Sequence, residues 1–136
     1  MTDQAPVRQL RLVVTAPDYE RALRFYRDVL GLPERASYSS PDDDGGRVTI
    51  LEAGVATLEL ANPEYAAYID RVEVGRRVAG HLRVAFEVED ATQVTATMAD
   101  AGAEIVAPPT RTPWNSLNAR LAAPADLHVT IFAELG

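Results

Sequence analysis

Two segments of this chain repeat each other, and that duplication constrains the fold more than any single residue does. "QLRLVVTAPDYERALRFYRDVLGL" begins at Gln9 and "HLRVAFEVEDATQVTATMADAGAEI" begins at His81. Aligning Asp18 with Asp90 pairs Leu10 with Leu82 and Arg11 with Arg83. Each segment opens on an apolar run rich in strand-forming residues and passes through an aspartate suited to capping a helix. A stripe of apolar residues at helical spacing then follows.

The repeat extends past the helices. Residues 10–16 read as a strand ended by Pro17 and Asp18. Ala22, Leu23, Phe25, Tyr26, Val29 and Leu30 form the helical stripe, which places Phe25 and Tyr26 under the sheet, and Gly31 is the expected stop. Strands are predicted over 35–40, 47–53 and 56–61, the last two joined by a turn at Gly54. Residues 62–80 form a polar, partly helical connection whose charges are expected to face solvent. Its Tyr65 and Tyr68 either close over a ligand or pack the helix. The second unit runs from a strand at 82–88 to a helix capped by Asp90, with Gln93 in a capping-box position, ending at Gly102. Strands follow near 103–107, 116–122 and 127–133, with "APPTRTPW" as a proline-rich loop. The predicted class is therefore α+β: two βαβββ modules, about 8–61 and 81–135, in one domain, forming a curved mixed sheet around a cup-shaped cavity.

Strand alternation assigns the faces. Leu10, Leu12 and Val14 form the helix-facing set of the first strand, leaving Arg11, Val13 and Thr15 for the cup. Leu82, Val84, Phe86 and Val88 face the second helix, and His81, Arg83, Ala85 and Glu87 face the cup. Thr57 and Glu59 join them from the fourth strand, and His128, Thr130 and Phe132 from the last.

Composition removes several classes. A net charge of −7 disfavours nonspecific nucleic-acid binding, which needs clustered cations against phosphates. Asp42, Asp43 and Asp44, beside two glycines, read as a solvated hairpin tip, since the calcium-loop spacing is missing. No apolar run approaches the roughly 20 residues of a membrane span. "MTDQAPVRQ" lacks the regions of a signal peptide, so a cytoplasmic location is expected. The absence of cysteine removes disulfides, thiolate nucleophiles and Cys-type zinc sites.

The run "DYERALRFYRDVLGL", residues 18–32, together with the duplicated module, resembles the vicinal oxygen chelate superfamily of glyoxalases, bleomycin-resistance proteins, epimerases and ring-cleaving dioxygenases. The resemblance covers nearly the whole chain and implies paired βαβββ modules and a homodimer. It also implies metal ligands seven residues before each capping acid and late in the fourth and eighth strands. Those positions hold Arg11, Glu59, Arg83 and Thr130, and arginine has no lone pair to offer a metal. The turn before the last strand, "APADLH", also departs from the family pattern. A displaced site of Glu59, His81 and His128 is the metal-binding alternative. The resemblance implies that the strands bearing these ligands are antiparallel neighbours within a module, so two-residue shifts move the ligands in opposite directions, a total displacement of about 13 Å that argues against the displaced site.

Two readings of the arginines follow. Either Arg11 and Arg83 pair with Glu59 and Glu87 in a structural network, or one of them receives an anionic or carbonyl-bearing ligand. Trp114 is expected at a pocket lid or a dimer contact, and Asn118 and Arg120 lie either in the cup or on the outer face. The expected function is metal-independent binding of a small molecule such as a drug or secondary metabolite. The expected ligand set is Arg11, Glu59, Arg83, Glu87, Trp114, Asn118, His128, Thr130 and Phe132, with no cofactor. One alternative is an enzyme of the same superfamily, namely a lyase, isomerase or dioxygenase. It would either be metal-free, with Glu59 as candidate catalytic base kept ionised by its arginine neighbours, or use the displaced metal. A non-catalytic structural or regulatory dimer is the remaining alternative.

Overall fold

The computed structural model describes residues 6–41 and 44–136. Eight strands form one sheet: β1 (Val7–Thr15), β2 (Glu34–Ser39), β3 (Arg47–Ala53), β4 (Ala56–Ala61), β5 (Leu82–Val88), β6 (Glu104–Arg111), β7 (Ser116–Ala123) and β8 (Leu127–Glu134). Their order across the sheet is β2-β3-β4-β1-β5-β8-β7-β6, so the two modules meet where β1 and β5 pair antiparallel. Within each module the first and last strands are parallel, β1 with β4 and β5 with β8. This reverses the antiparallel neighbours assumed for the displaced histidines and removes the 13 Å separation reckoned from them.

The helices are α1 (Tyr19–Leu23), α2 (Pro63–Glu73) and α3 (Ala91–Asp100). Asp18 accepts a hydrogen bond from the Arg21 amide and Asp90 one from Gln93, satisfying donors that the first turn leaves orphaned. The predicted continuous first helix instead widens into a π-helical stretch over Arg24–Val29. That turns Phe25 outward, 55% exposed, with Tyr26 only partly buried against the α1 cluster. Gly31 at φ +89° and Gly102 at φ +113° then take the left-handed conformation that ends each helical segment.

α1 packs on Leu51 and Leu60 through Tyr19 and Leu23, and the second module has its own core of Val88, Ala119, Leu121, Val129 and Ile131. The central strands lie between these clusters. Leu10, Leu12 and Leu82, predicted to face the helices, are consequently exposed at 40%, 36% and 48%, because neither helix reaches the β1–β5 seam. The proline-rich segment also differs from its prediction. Pro108 and Pro109 belong to β6, an edge strand, where proline's missing amide leaves no internal ladder bond unmade. Of the acidic tip, Asp42 and Asp43 lie outside the described residues, and Asp44 accepts bonds from Ser40 Oγ and the Gly46 amide. Among the described residues no helix is long and apolar enough to cross a membrane.

The connecting helix does more than link modules. Asn62 caps it through the Tyr65 amide and Pro63 occupies its first turn. Tyr65, Tyr68 and Ile69 pack with Val48 and Ala61 of module one, while Asp70 and Glu73 reach β7 of module two. The expected solvated face therefore needs correction, since Asp70 is 1% exposed and Glu73 3%.

Candidate functional site

The concave face encloses a cavity of about 520 Å³, within the range that holds drug-sized ligands. Sheet register builds its floor. Val13 of β1 pairs with Glu59 of β4 on one side and Arg83 of β5 on the other, so Glu59, Val13 and Arg83 form one row across three strands. In the next row Arg11 pairs with Ala85, which pairs with Thr130 of β8. Arg11, Val13, Glu59, Arg83, Ala85 and Thr130 all line the cavity, as strand parity predicts.

The predicted site residues divide on this face. Arg11, Glu59, Arg83, Trp114, Asn118, Thr130 and Phe132 meet around the cavity. Glu87 is not among its lining, and its register neighbour Gln9 instead accepts from Arg11 Nε at 2.5 Å and Arg35 Nη1 at 3.3 Å. The expected pairing of Glu87 with Arg11 or Arg83 is thus not formed. His128 also leaves the cavity wall. Its Nε2 lies 3.0 Å from Arg120 Nη1, and since a guanidinium only donates, Nε2 is the unprotonated acceptor. Burial, with Arg120 and Arg83 nearby, lowers the His128 pKa to about 4. Thr57 pairs with Arg11 and keeps the parity of Glu59, but it is 2% exposed and does not line the cavity, and its hydroxyl has no partner among the described residues.

The buried ion-pair network centres on Arg120 rather than Arg11 or Arg83. Arg120 is fully buried, donating Nη1 to Asp70 at 2.9 Å and Nε to Glu73 at 2.7 Å, while Asn118 Nδ2 donates to Glu73 at 2.7 Å. This places Asn118 and Arg120 on the cup side, the first at the cavity and the second beneath it. Burial raises the Asp70 carboxyl, but the Val78 and Ala79 amides together with Arg120 outweigh it and hold the pKa below its ordinary value. The network escaped the sequence because Asp70 and Arg120 lie 50 positions apart. One signal was present: Tyr65, Ile69 and Glu73 fall at i, i+4, i+8, so Glu73 continues the apolar stripe.

Arg120 takes up Asp70 and Glu73, leaving Arg83 to a single hydroxyl. Arg83 is 8% exposed, and its Nη1 donates to Thr130 Oγ1 at 2.7 Å. Among the described residues no carboxylate lies within ion-pair distance of it. Burial and the like charge of Arg120 lower its pKa, against Glu73, Glu59 and Asp70. Arg11 is better satisfied, lying 3.8 Å from Glu59 and stacking over the Phe132 ring at 5.0 Å. Glu59 accepts no hydrogen bond among the described residues. Burial raises its pKa despite the pull of Arg83 and Arg11, the opposite direction to the lowering expected from its neighbours.

Opposite this polar floor the walls are apolar and aromatic. Val48 and Ile50 come from β3, Tyr65 and Tyr68 from α2, and Trp114 from the β6–β7 loop. The Tyr68 and Trp114 rings are 6.2 Å apart, so α2 and that loop close one side of the cavity together. Arg35 and Tyr38 at the rim, and Ser116 and Glu134 across from them, also line it and carried no distinguishing sequence signal.

The profile of the Glyoxalase/Bleomycin resistance protein/Dioxygenase superfamily matches residues 8–128, and the chain belongs to that superfamily. Methylmalonyl-CoA epimerase from Mycobacterium tuberculosis has the same fold, with a TM-score of 0.68 and 20% identity over 100% of this chain and 94% of that one. A variant of the Streptomyces coelicolor methylmalonyl-CoA epimerase in complex with 2-nitronate-propionyl-CoA gives 0.68 at 19% identity, covering 97% and 100%. A hypothetical protein from Bacillus halodurans C-125 gives 0.67 at 16%, covering 91% of each chain. No curated protein matches the sequence. At these identities the likeness establishes the fold alone.

The superfamily implies a metal at the cup floor, and the residues present do not fit one. Arg11 and Arg83 have no donor lone pair, and the Thr130 hydroxyl is engaged by Arg83. Among the described residues no group of three or more His, Cys, Asp or Glu side chains is gathered to hold a metal, so Glu59, His81 and His128 do not assemble as the alternative site. His81 is exposed just before β5.

Proposed function

We propose that the cup binds a small organic molecule through an anionic oxygen placed on Arg83, without a metal at the floor. The observation that carries this is a nearly buried guanidinium facing a ligand-sized cavity with only a threonine hydroxyl as partner. A buried charge without a counter-charge is costly, and a ligand carboxylate would supply the missing partner through the bidentate geometry guanidinium favours. The aromatic walls suit a ligand with an apolar body, which agrees with sequestration of a drug or secondary metabolite. A second copy of the chain covering the exposed β1–β5 seam belongs to the same reading.

The test is thermal unfolding with a chelator present, comparing 3-phenylpropanoate with its uncharged amide. A ligand at 100 times its Kd adds about 2.7 kcal/mol to the folded state. At about 2.1 cal/mol/K per residue over 136 residues, that raises Tm by about 9 °C. The reading expects stabilisation by the acid, little by the amide, and loss of the effect in Arg83→Met. Equal shifts for acid and amide would refute it.

One feature favours a metal-free isomerase or lyase as the second reading. Glu59 is largely buried in the cavity, accepts no hydrogen bond among the described residues, and has a raised pKa suited to proton exchange with a bound ligand. Deuterium incorporation into a bound acid, abolished in Glu59→Gln, would support catalysis; retention of all protons would argue for binding alone.

A further inference from the structure

Glu59 and Arg83 stand on either side of Val13 in the same cross-strand row, both facing the cavity. Two interstrand spacings put their Cα atoms about 10 Å apart. They do not form an ion pair, and Arg83 is drawn toward β8 by its bond to Thr130. What remains over Val13 is a donor on one flank and an acceptor on the other, each short of partners. Arg83 has N–H groups beyond the one given to Thr130, and the two carboxylate oxygens of Glu59 have only Arg11 within ion-pair distance among the described residues, at 3.8 Å.

An anion alone would use only half of this floor. A plain carboxylate on Arg83 leaves Glu59 desolvated and without a donor, which is unfavourable. Resting on the binding reading above, we propose that the ligand is a hydroxycarboxylate with an aromatic body. Its carboxylate sits on Arg83, its adjacent hydroxyl donates to Glu59, and its ring lies against Trp114 and Tyr68. The carboxylate supplies the one negative charge that Arg83 lacks once Arg11 is matched by Glu59. The hydroxyl then separates two oxygens that would otherwise repel, because it donates to the carboxylate on the protein while the ligand's own carboxylate faces the cation. A phenyl ring with a three-carbon head fits within the cavity's 520 Å³.

Calorimetric titration of the whole chain with three probes tests this: 2-hydroxy-3-phenylpropanoate, its 2-methoxy analogue and 3-phenylpropanoate. The hydroxy acid is expected to bind at least about tenfold more tightly than the methoxy acid, the ratio expected for one hydrogen bond to a charged group. Glu59→Met should reduce that ratio to below about threefold. Glu59→Gln keeps an acceptor oxygen and should retain part of the discrimination, so a misfolded methionine variant does not end the test. Equal binding of hydroxy and methoxy acids by the native protein, with both lost in Arg83→Met, overturns the hydroxyl contact and leaves the anion reading standing. Failure of all three acids to bind, or binding unaffected by Arg83→Met, overturns both.

Discussion

Replacing Arg120 with methionine keeps the unbranched stem of the buried side chain and removes its guanidinium group and charge, leaving Asp70 and Glu73 facing each other beneath the cup. Both carboxylates are at most 3% exposed, so water cannot take the cation's place without opening the helix–sheet contact. Removing one partner of a buried pair costs about 3–5 kcal/mol, chiefly because the remaining charge is left uncompensated. For 136 residues, at about 2.1 cal/mol/K each, this lowers Tm by about 10–17 °C. Calorimetric unfolding at neutral pH measures it directly. The triple variant Asp70→Asn, Glu73→Gln, Arg120→Met should recover at least half of the loss, since the orphaned charges go with their partner. The damage should also be local first. α2 carries Tyr65 and Tyr68 into the cavity, so amide exchange should accelerate across Pro63–Glu73 before it does in the module cores. A drop in Tm below about 3 °C for Arg120→Met would refute the view that this cluster fastens the connecting helix to β7.

Three further outcomes follow from the same geometry. His128, with a pKa near 4 against an unfolded value near 6.5, contributes stability that is full above about 6.5 and is lost as pH falls through about 4; its ring resonances should titrate near 4, and a midpoint near 6.5 would contradict its placement against Arg120. Trp114 is the single tryptophan and lines the cavity, so its fluorescence should change on saturation with 3-phenylpropanoate in the native protein and not in Arg83→Met, whereas an unchanged spectrum on saturation would place the ligand elsewhere. Leu12→Glu puts a charge in the exposed seam beside Leu10 and Leu82, and sedimentation should show dimers of the native chain dissociating into folded monomers; a native chain that is already monomeric would remove the second-copy proposal.

Much of the fold was legible because strand alternation and capping are local. β3, β4 and β5 begin and end where the apolar alternation does, and Asp18 and Asp90 cap the helices their spacing indicates. Parity alone brought Arg11, Glu59, Arg83, Thr130 and Phe132 to one cavity. The misreadings arose where tertiary context overrides a local pattern. Phe25 continues a helical stripe, yet a π-helical stretch rotates it outward. Pro108 and Pro109 argue against a strand only if it is internal, and β6 is an edge. Asp70 and Glu73 read as solvent-facing because their cation comes from a strand in the other module. That pairing also decides the site. Since Arg120 occupies the carboxylates of α2, Arg83 is left without one, and no local pattern shows which of two buried arginines will be matched.

The most direct test of the unmatched arginine is a crystal structure with 3-phenylpropanoate. The account predicts the carboxylate within about 3.2 Å of the Arg83 guanidinium, over Val13, with the ring against Trp114 and Tyr68. A guanidinium of Arg83 turned onto Glu59, with the acid bound elsewhere, would contradict it.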